Sequence, residues 1–132
     1  LLTRDAENGI LPAAVDMGLG FLPWFPLYNG LFTGKFNREG GPADSRIMRI
    51  RKQLHAEAPW DAMDAFEAFC DERRITMLEA TIGWLLAVPG MSSIIAGATT
   101  PAQVRENADA ANSWSPTARE FDAIAKMFPL TA

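Results

Sequence analysis

Two stretches of the chain bring together residue types that hold flat, phosphorylated molecules. The first is Gly20-Phe21-Leu22-Pro23-Trp24-Phe25-Pro26-Leu27-Tyr28-Asn29-Gly30-Leu31-Phe32-Thr33-Gly34-Lys35. An apolar run ends in aromatics, and a loop with two glycines, a threonine and a lysine follows. That order suits a buried strand feeding a loop that seats a planar ring and a phosphate. The second stretch is Ser93-Ile94-Ile95-Ala96 followed by Gly97-Ala98-Thr99-Thr100-Pro101-Ala102-Gln103-Val104-Arg105-Glu106-Asn107. A strand, a small-residue turn and a capped helix start make an anion site in principle. Free backbone N–H groups and the positive end of the helix dipole face the same spot. Thr100 and Gln103 could equally form a capping box that needs no ligand.

Other reactive side chains are isolated. The single histidine, His55, stands in a charged stretch and reads as a surface residue. The single tyrosine, Tyr28, lies in the first loop. Cys70 falls on an apolar helix face, where a core thiol is the simpler reading than a nucleophile. No zinc-ligand spacing, Walker loop or Ser-His-Asp arrangement is present.

The elements that must position the two stretches follow from periodicity. Ala6–Met17 reads as a helix with Ile10, Leu11, Ala14 and Val15 on one face, ended by Gly18 and Gly20. Phe21–Phe25 and Ser93–Ala96 are apolar on successive residues, the pattern of strands buried on both faces. Pro23 counts against the first, because it removes a ladder donor. Residues 37–44 read as a long exposed loop and Ser45–Glu57 as a charged helix. Asp61–Arg74 carries Ala62, Ala65, Phe66, Phe69 and Cys70 at helical spacing. Thr76-Met77-Leu78-Glu79 is a capping-box pattern for a helix running to about Val88. Thr100-Pro101 and Ser115-Pro116 each open a further helix, the last with Phe121, Ile124, Ala125 and Phe128 as its core face. Strands alternating with helices indicate an α/β chain with a parallel sheet.

Composition narrows the function classes. The net charge is −4 with both signs interspersed, so no basic stripe invites nucleic acid. One cysteine forms no internal disulfide, which suits a reducing, cytoplasmic setting. No apolar run approaches the ~20 residues of a membrane span, and no signal peptide is visible. The chain has 132 residues and opens on Leu1 rather than Met, as expected of a single segment, 1–132, cut from something longer.

Both stretches resemble segments of the aldo-keto reductases, NADPH-dependent carbonyl reductases built as (β/α)₈ barrels. The first is similar to the family's apolar strand, aromatic, Pro-Leu and Gly-Leu-Thr-Gly-Lys loop. The second is similar to its Pro-Gly-Ala-Thr-Thr-Pro-x-Gln-x-x-Glu-Asn segment. The likeness extends from Leu1-Leu2-Thr3-Arg4 to the closing helix. A barrel of this kind needs about 250 residues, so the resemblance implies its C-terminal part, the last two strands with their helices. It implies NADP(H) as cofactor and a small-molecule carbonyl as substrate. By position, Trp24 stacks on the nicotinamide, and Phe25 stands where a serine is usual. Leu27, Asn29, Gly30, Leu31 and Lys35 belong to the loop closing over the pyrophosphate. Arg46 matches an arginine that reaches the 2′-phosphate, although it could be a solvated helix-start charge. Gly97, Ala98 and Thr99 face the phosphate, Gln103 the phosphate or ribose, and Glu106 and Asn107 the adenine. Some members carry lysine and arginine where Gly97 and Gln103 stand, which leaves this chain less positive charge for NADP.

The family's Asp, Tyr, Lys and His tetrad precedes this segment, and neither Tyr28 nor His55 matches a tetrad position. The resemblance therefore implies a cofactor-binding portion that is inactive alone. The alternative is a non-catalytic nucleotide-binding or assembly module derived from a truncated aldo-keto reductase. Either way the open strands favour an oligomer or association with the missing barrel half.

Overall fold

The computed structural model describes residues 1–130; residues 131 and 132 of the expected segment lie outside the described residues. Among the described residues seven α-helices carry the fold. A 3₁₀ turn, Asp5–Asn8, precedes α1, Ile10–Asp16. Next come α2, Arg46–Ile50, and α3, Lys52–Ala56. They are followed by α4, Trp60–Arg73, α5, Met77–Ala87, α6, Pro101–Ser113, and α7, Ala118–Met127.

Several boundaries differ from the sequence reading, each for a local reason. The helix expected over Ala6–Met17 breaks at Gly9, whose extended φ of −168° cannot continue a helix. The helix expected over Ser45–Glu57 breaks at Arg51, with φ −134° and ψ 35°. The last helix is capped by Thr117 rather than by Ser115-Pro116. Its hydroxyl accepts from the Glu120 amide, and the Glu120 carboxylate accepts from the Thr117 amide. The capping box at Thr76 and Glu79 forms as expected. Phe121, Ile124, Ala125 and Phe128 turn inward on α7, with Ile124 and Phe128 fully covered.

The two expected strands are a correction. Among the described residues neither Phe21–Phe25 nor Ser93–Ala96 enters a ladder. What remains is a parallel bridge between Phe21 and Met91. The Ser92 amide donates to the Phe21 carbonyl and the Phe21 amide donates to the Ser92 hydroxyl, both at 3.0 Å. Nor are these segments covered on both faces. Leu22, Trp24, Phe25 and Ile95 are exposed. A ladder needs a strand paired along its length, and here the pairing stops where Phe21 meets Met91 and Ser92.

The core forms around α5. Ala80, Ile82, Trp84 and Leu85 are buried, so this helix is apolar nearly all round and sits in the middle. The Trp84 indole stacks on Phe121 at 4.9 Å and donates to the Phe121 carbonyl, which gives a buried N–H its partner. Phe32, Phe66 and Phe128 meet edge to face at 5.4–6.0 Å and join the first loop to α4 and α7. At Gly83, α5 passes against Trp114; a Cβ there would lie 2.5 Å from the Trp114 carbonyl oxygen. Cys70 packs in this core, where burial pushes its thiol up to about 12. It is a core thiol, inert at neutral pH.

Candidate functional site: a dinucleotide-sized cleft

The floor of the cleft is the first loop, and its backbone is unusual. Phe25, Tyr28 and Asn29 have φ of 53°, 48° and 58°, and Gly30 follows at 97°. Left-handed conformations cost a non-glycine residue about 1–3 kcal/mol each and persist only where surroundings enforce them. Here Leu31 and Phe32, both fully buried, enforce them by plugging the core beneath the loop. The Thr33 hydroxyl ties the loop down, donating to the Gly30 carbonyl at 2.7 Å. The loop therefore presents its upper surface in one shape.

Above it opens a cleft of about 900 Å³. One wall is the first loop, with Trp24, Phe25, Leu27, Asn29, Gly30 and Lys35. A second is the stretch from Pro42 through α2, with Arg46 and Arg49. The third is the turn Gly97–Thr99 and the adjoining face of α6, with Gln103, Glu106 and Asn107. Positions 103, 106 and 107 fall on one helix face, three and four apart.

The structure thus brings together around one cleft every residue that the resemblance assigns to cofactor binding except Leu31. Leu31 is the exception because its side chain points into the core beneath the loop. Trp24 is 87% exposed and lies against Phe25, ring centroids 4.5 Å apart, so it is no part of the core. Its indole offers an open face to a flat ring.

The Gly97–Thr99 turn is held from α6. The Thr99 amide and hydroxyl both donate to the Gln103 side-chain oxygen, at 2.7 and 3.0 Å. The Thr100 hydroxyl caps the helix, accepting from the Gln103 amide at 3.2 Å. The expected capping box is therefore displaced by one residue, because the Gln103 side chain reaches back to Thr99 and not to Thr100. Its amide nitrogen has no partner among the described residues. Nothing lies within 4 Å of a Cβ built on Gly97, so the backbone there is open to an incoming group.

Opposite, residues 37–40 form a tight turn that closes on itself through Asn37 and Gly40. His55 bonds the Asn37 carbonyl oxygen through Nε2 at 2.7 Å, and its ring meets Trp60 at a tilt of 57°, centroids 4.8 Å apart. Arg38 donates to Asp61 and Asp64 on α4. His55 is an anchor for the loop that carries Lys35 and Phe36 to the cleft, which sequence alone did not reveal. Arg49 was likewise missed; its signal was the three-residue spacing from Arg46 on a helix face.

Lys35, Arg46 and Arg49 carry the positive charge of the lining, against Asp44 and Glu106. None of the three cations has a hydrogen-bond or ion-pair partner among the described residues. An open indole, three unpaired cations, a bare turn and unpartnered amides fit a phosphorylated dinucleotide with a flat ring at one end. Tyr28 and His55 lie outside the lining. Among the described residues no cluster of His, Cys, Asp and Glu is placed to hold a metal ion. Among the described residues no helix is long and apolar enough to cross a membrane either.

Comparison with known proteins gives the family. The family model described as "Aldo/keto reductase family" matches residues 1–128. A probable voltage-gated potassium channel subunit beta from Arabidopsis thaliana is 32% identical over 109 residues, covering 79% of this chain and 33% of that protein. An NADH-specific methylglyoxal reductase from Escherichia coli is 32% identical over 113 residues, covering 85% and 35%. An L-glyceraldehyde 3-phosphate reductase from the same species is 28% identical over 132 residues, covering 94% and 38%. The chain spans about a third of the length of these relatives. With the family model matched along nearly its whole length, this chain belongs to the aldo/keto reductase family.

Proposed function

We propose that this chain is the cofactor-binding C-terminal part of a (β/α)₈-barrel oxidoreductase that reduces aldehydes or ketones to alcohols with NADP(H). The observation that carries the reading is the convergence of the family's cofactor-binding positions on one cleft of dinucleotide size. The nicotinamide supplies hydride. The chain's own residues bind and orient. Trp24 offers its face to the ring, Lys35 and Arg46 offer charge to the phosphates, and Glu106 and Asn107 offer an acceptor and an amide to the adenine edge.

The proton that completes carbonyl reduction must come from a general acid, a contribution of about 10²–10⁴-fold. No residue of the cleft fills that role in this reading, because Tyr28 and His55 lie outside the lining. The catalytic tetrad and the carbonyl site then belong to the rest of the barrel. The exposed Leu22, Ile95 and Val104 are surfaces which that remainder, or a second copy, would cover.

The cofactor's extra phosphate is not fixed by family, since one relative is named as NADH-specific. A second reading, a nucleotide-binding assembly module without turnover, draws on the relative named as a channel subunit. Turnover separates the two. The purified chain should bind NADPH weakly at best and oxidise none of it with a panel of aldehydes and ketones. The protein that contains both this segment and the tetrad should oxidise it. Turnover by the chain alone, abolished by Trp24→Ala, would refute the division of labour. Binding without turnover by the tetrad-bearing protein would favour the module.

A further inference from the structure

Trp24 has one ring neighbour among the described residues, Phe25, with centroids 4.5 Å apart and planes tilted by 30°. Along an extended chain successive side chains point to opposite faces. The residue before a proline is pushed toward that extended backbone, and Phe25 precedes Pro26. Phe25 departs from both tendencies. Its φ of 53° is left-handed, and this turn of the backbone sets two successive rings on one side. A bulky residue at positive φ is an outlier that persists only where its surroundings enforce it. Here the Tyr28 amide donates to the Phe25 carbonyl at 3.0 Å, and Pro26 and Leu27 are buried directly after it. Burial of the ring does not explain the conformation. Tyr28, the other aromatic at positive φ, packs against the core. Phe25 stays 38% exposed, lines the cleft and packs against an indole that is itself exposed.

We propose that Phe25 is a positioning residue: its ring backs the Trp24 indole and holds it in place at the cleft before the cofactor's planar end arrives. The inference rests on the cofactor reading above. An indole this exposed, without a neighbour, samples several rotamers, and ordering it on binding costs affinity. A ring that holds it beforehand removes part of that cost, and aromatic pairs at this separation attract beyond their burial. The chemistry of Phe25 favours support over direct contact. A phenyl ring has no hydrogen bond to offer a phosphate or a sugar. Where the resemblance sets a serine, this chain has exchanged a polar group for a support to its neighbour.

The test is a double-mutant cycle on NADPH binding by the protein that carries this chain. Phe25→Leu should weaken NADPH several-fold, up to about tenfold. In the Trp24→Ala background the same substitution should change affinity by less than about twofold, because the indole it supported is gone. Phe25→Tyr keeps the ring and should bind within about twofold of wild type. Side-chain mobility of Trp24 reads the same support without ligand. It is followed by fluorine relaxation in fluorotryptophan-labelled protein, with the signal assigned by Trp24→Phe. Phe25→Leu should free the indole, and Phe25→Tyr should not. Equal weakening in both backgrounds would make Phe25 a direct contact and overturn the proposal. So would unchanged NADPH binding in Phe25→Leu, or an indole no more mobile in that variant, while the cofactor reading survives. Wild-type protein that binds no nicotinamide nucleotide would overturn both.

Discussion

The Thr99 amide donates to the Gln103 side-chain oxygen at 2.7 Å, which folds the last turn of the cleft back onto α6. Gln103 therefore has two separable tasks. Its oxygen holds the turn, and its amide nitrogen, without a partner among the described residues, is left for a ligand of the cleft that Gln103 lines. Gln103→Glu keeps the acceptor and replaces the donor with a negative charge. Thermal unfolding should shift little, because the Thr99 bonds survive. NADPH affinity should fall by about tenfold, the weight of one charge-assisted contact. Loss of stability with unchanged affinity would make Gln103 a scaffold residue only.

Gly97→Lys is expected to be tolerated, since a Cβ there meets nothing within 4 Å. The added ammonium would sit on the wall that now carries no cation. NADPH binding should tighten several-fold, up to about tenfold, and become more sensitive to salt. Calorimetric titration at two ionic strengths reads both effects. Weaker binding would show that the Gly97 backbone, and not open space, is what the cofactor needs.

Gly83→Ala should destabilise the fold by about 1–3 kcal/mol, the usual cost of overpacking. The new methyl would lie 2.5 Å from the Trp114 carbonyl and 2.8 Å from its ring. A backbone oxygen cannot swing aside as a flexible side chain does. Urea unfolding checks the midpoint, and Gly97→Ala, in open space, serves as the neutral control.

Stability should fall in acid through the two capping carboxylates. Glu79 and Glu120 are held below the usual 4.5 by hydrogen bonds from Thr76 and Thr117, backbone first, then hydroxyl, with Arg73 adding to Glu120. A carboxylate lowered in the folded state stabilises it above the unfolded value. That contribution fades as pH drops through the folded value. The urea midpoint should therefore decline from pH 5 to pH 3. The double variant Glu79→Gln, Glu120→Gln should show a shallower decline. An identical slope would assign acid sensitivity to other groups.

Much of the helical frame was legible because caps are local. Thr76 with Glu79 and Thr100 with Pro101 marked their helices from a few residues of sequence. Breaks that depend on one backbone angle, as at Gly9 and Arg51, left no such mark. The strands were misjudged for a different reason. Phe21–Phe25 and Ser93–Ala96 carry the composition of segments covered on both faces, but coverage requires partners that these residues do not supply. The cleft was legible through resemblance in position, not through geometry. Leu31 shows the limit: adjacent to Gly30 in the loop, it turns into the core, and alternation along an irregular loop cannot be read from residue type. His55 was read as a surface group because its partner, the Asn37 carbonyl, is backbone and carries no side-chain signal.

The central claim is that one cleft holds a nicotinamide dinucleotide from Trp24 at one end to Asn107 at the other. Titrating NADPH into the wild-type protein and into Trp24→Ala and Asn107→Ala, by calorimetry, tests it most directly. Both substitutions lie on the surface of the cleft and should leave unfolding unchanged. Each should weaken binding, Trp24→Ala by about 0.5–1.5 kcal/mol of stacking and Asn107→Ala by a similar amount of hydrogen bonding. Weakened affinity at both ends is the expected result; wild-type affinity in both variants would contradict the account.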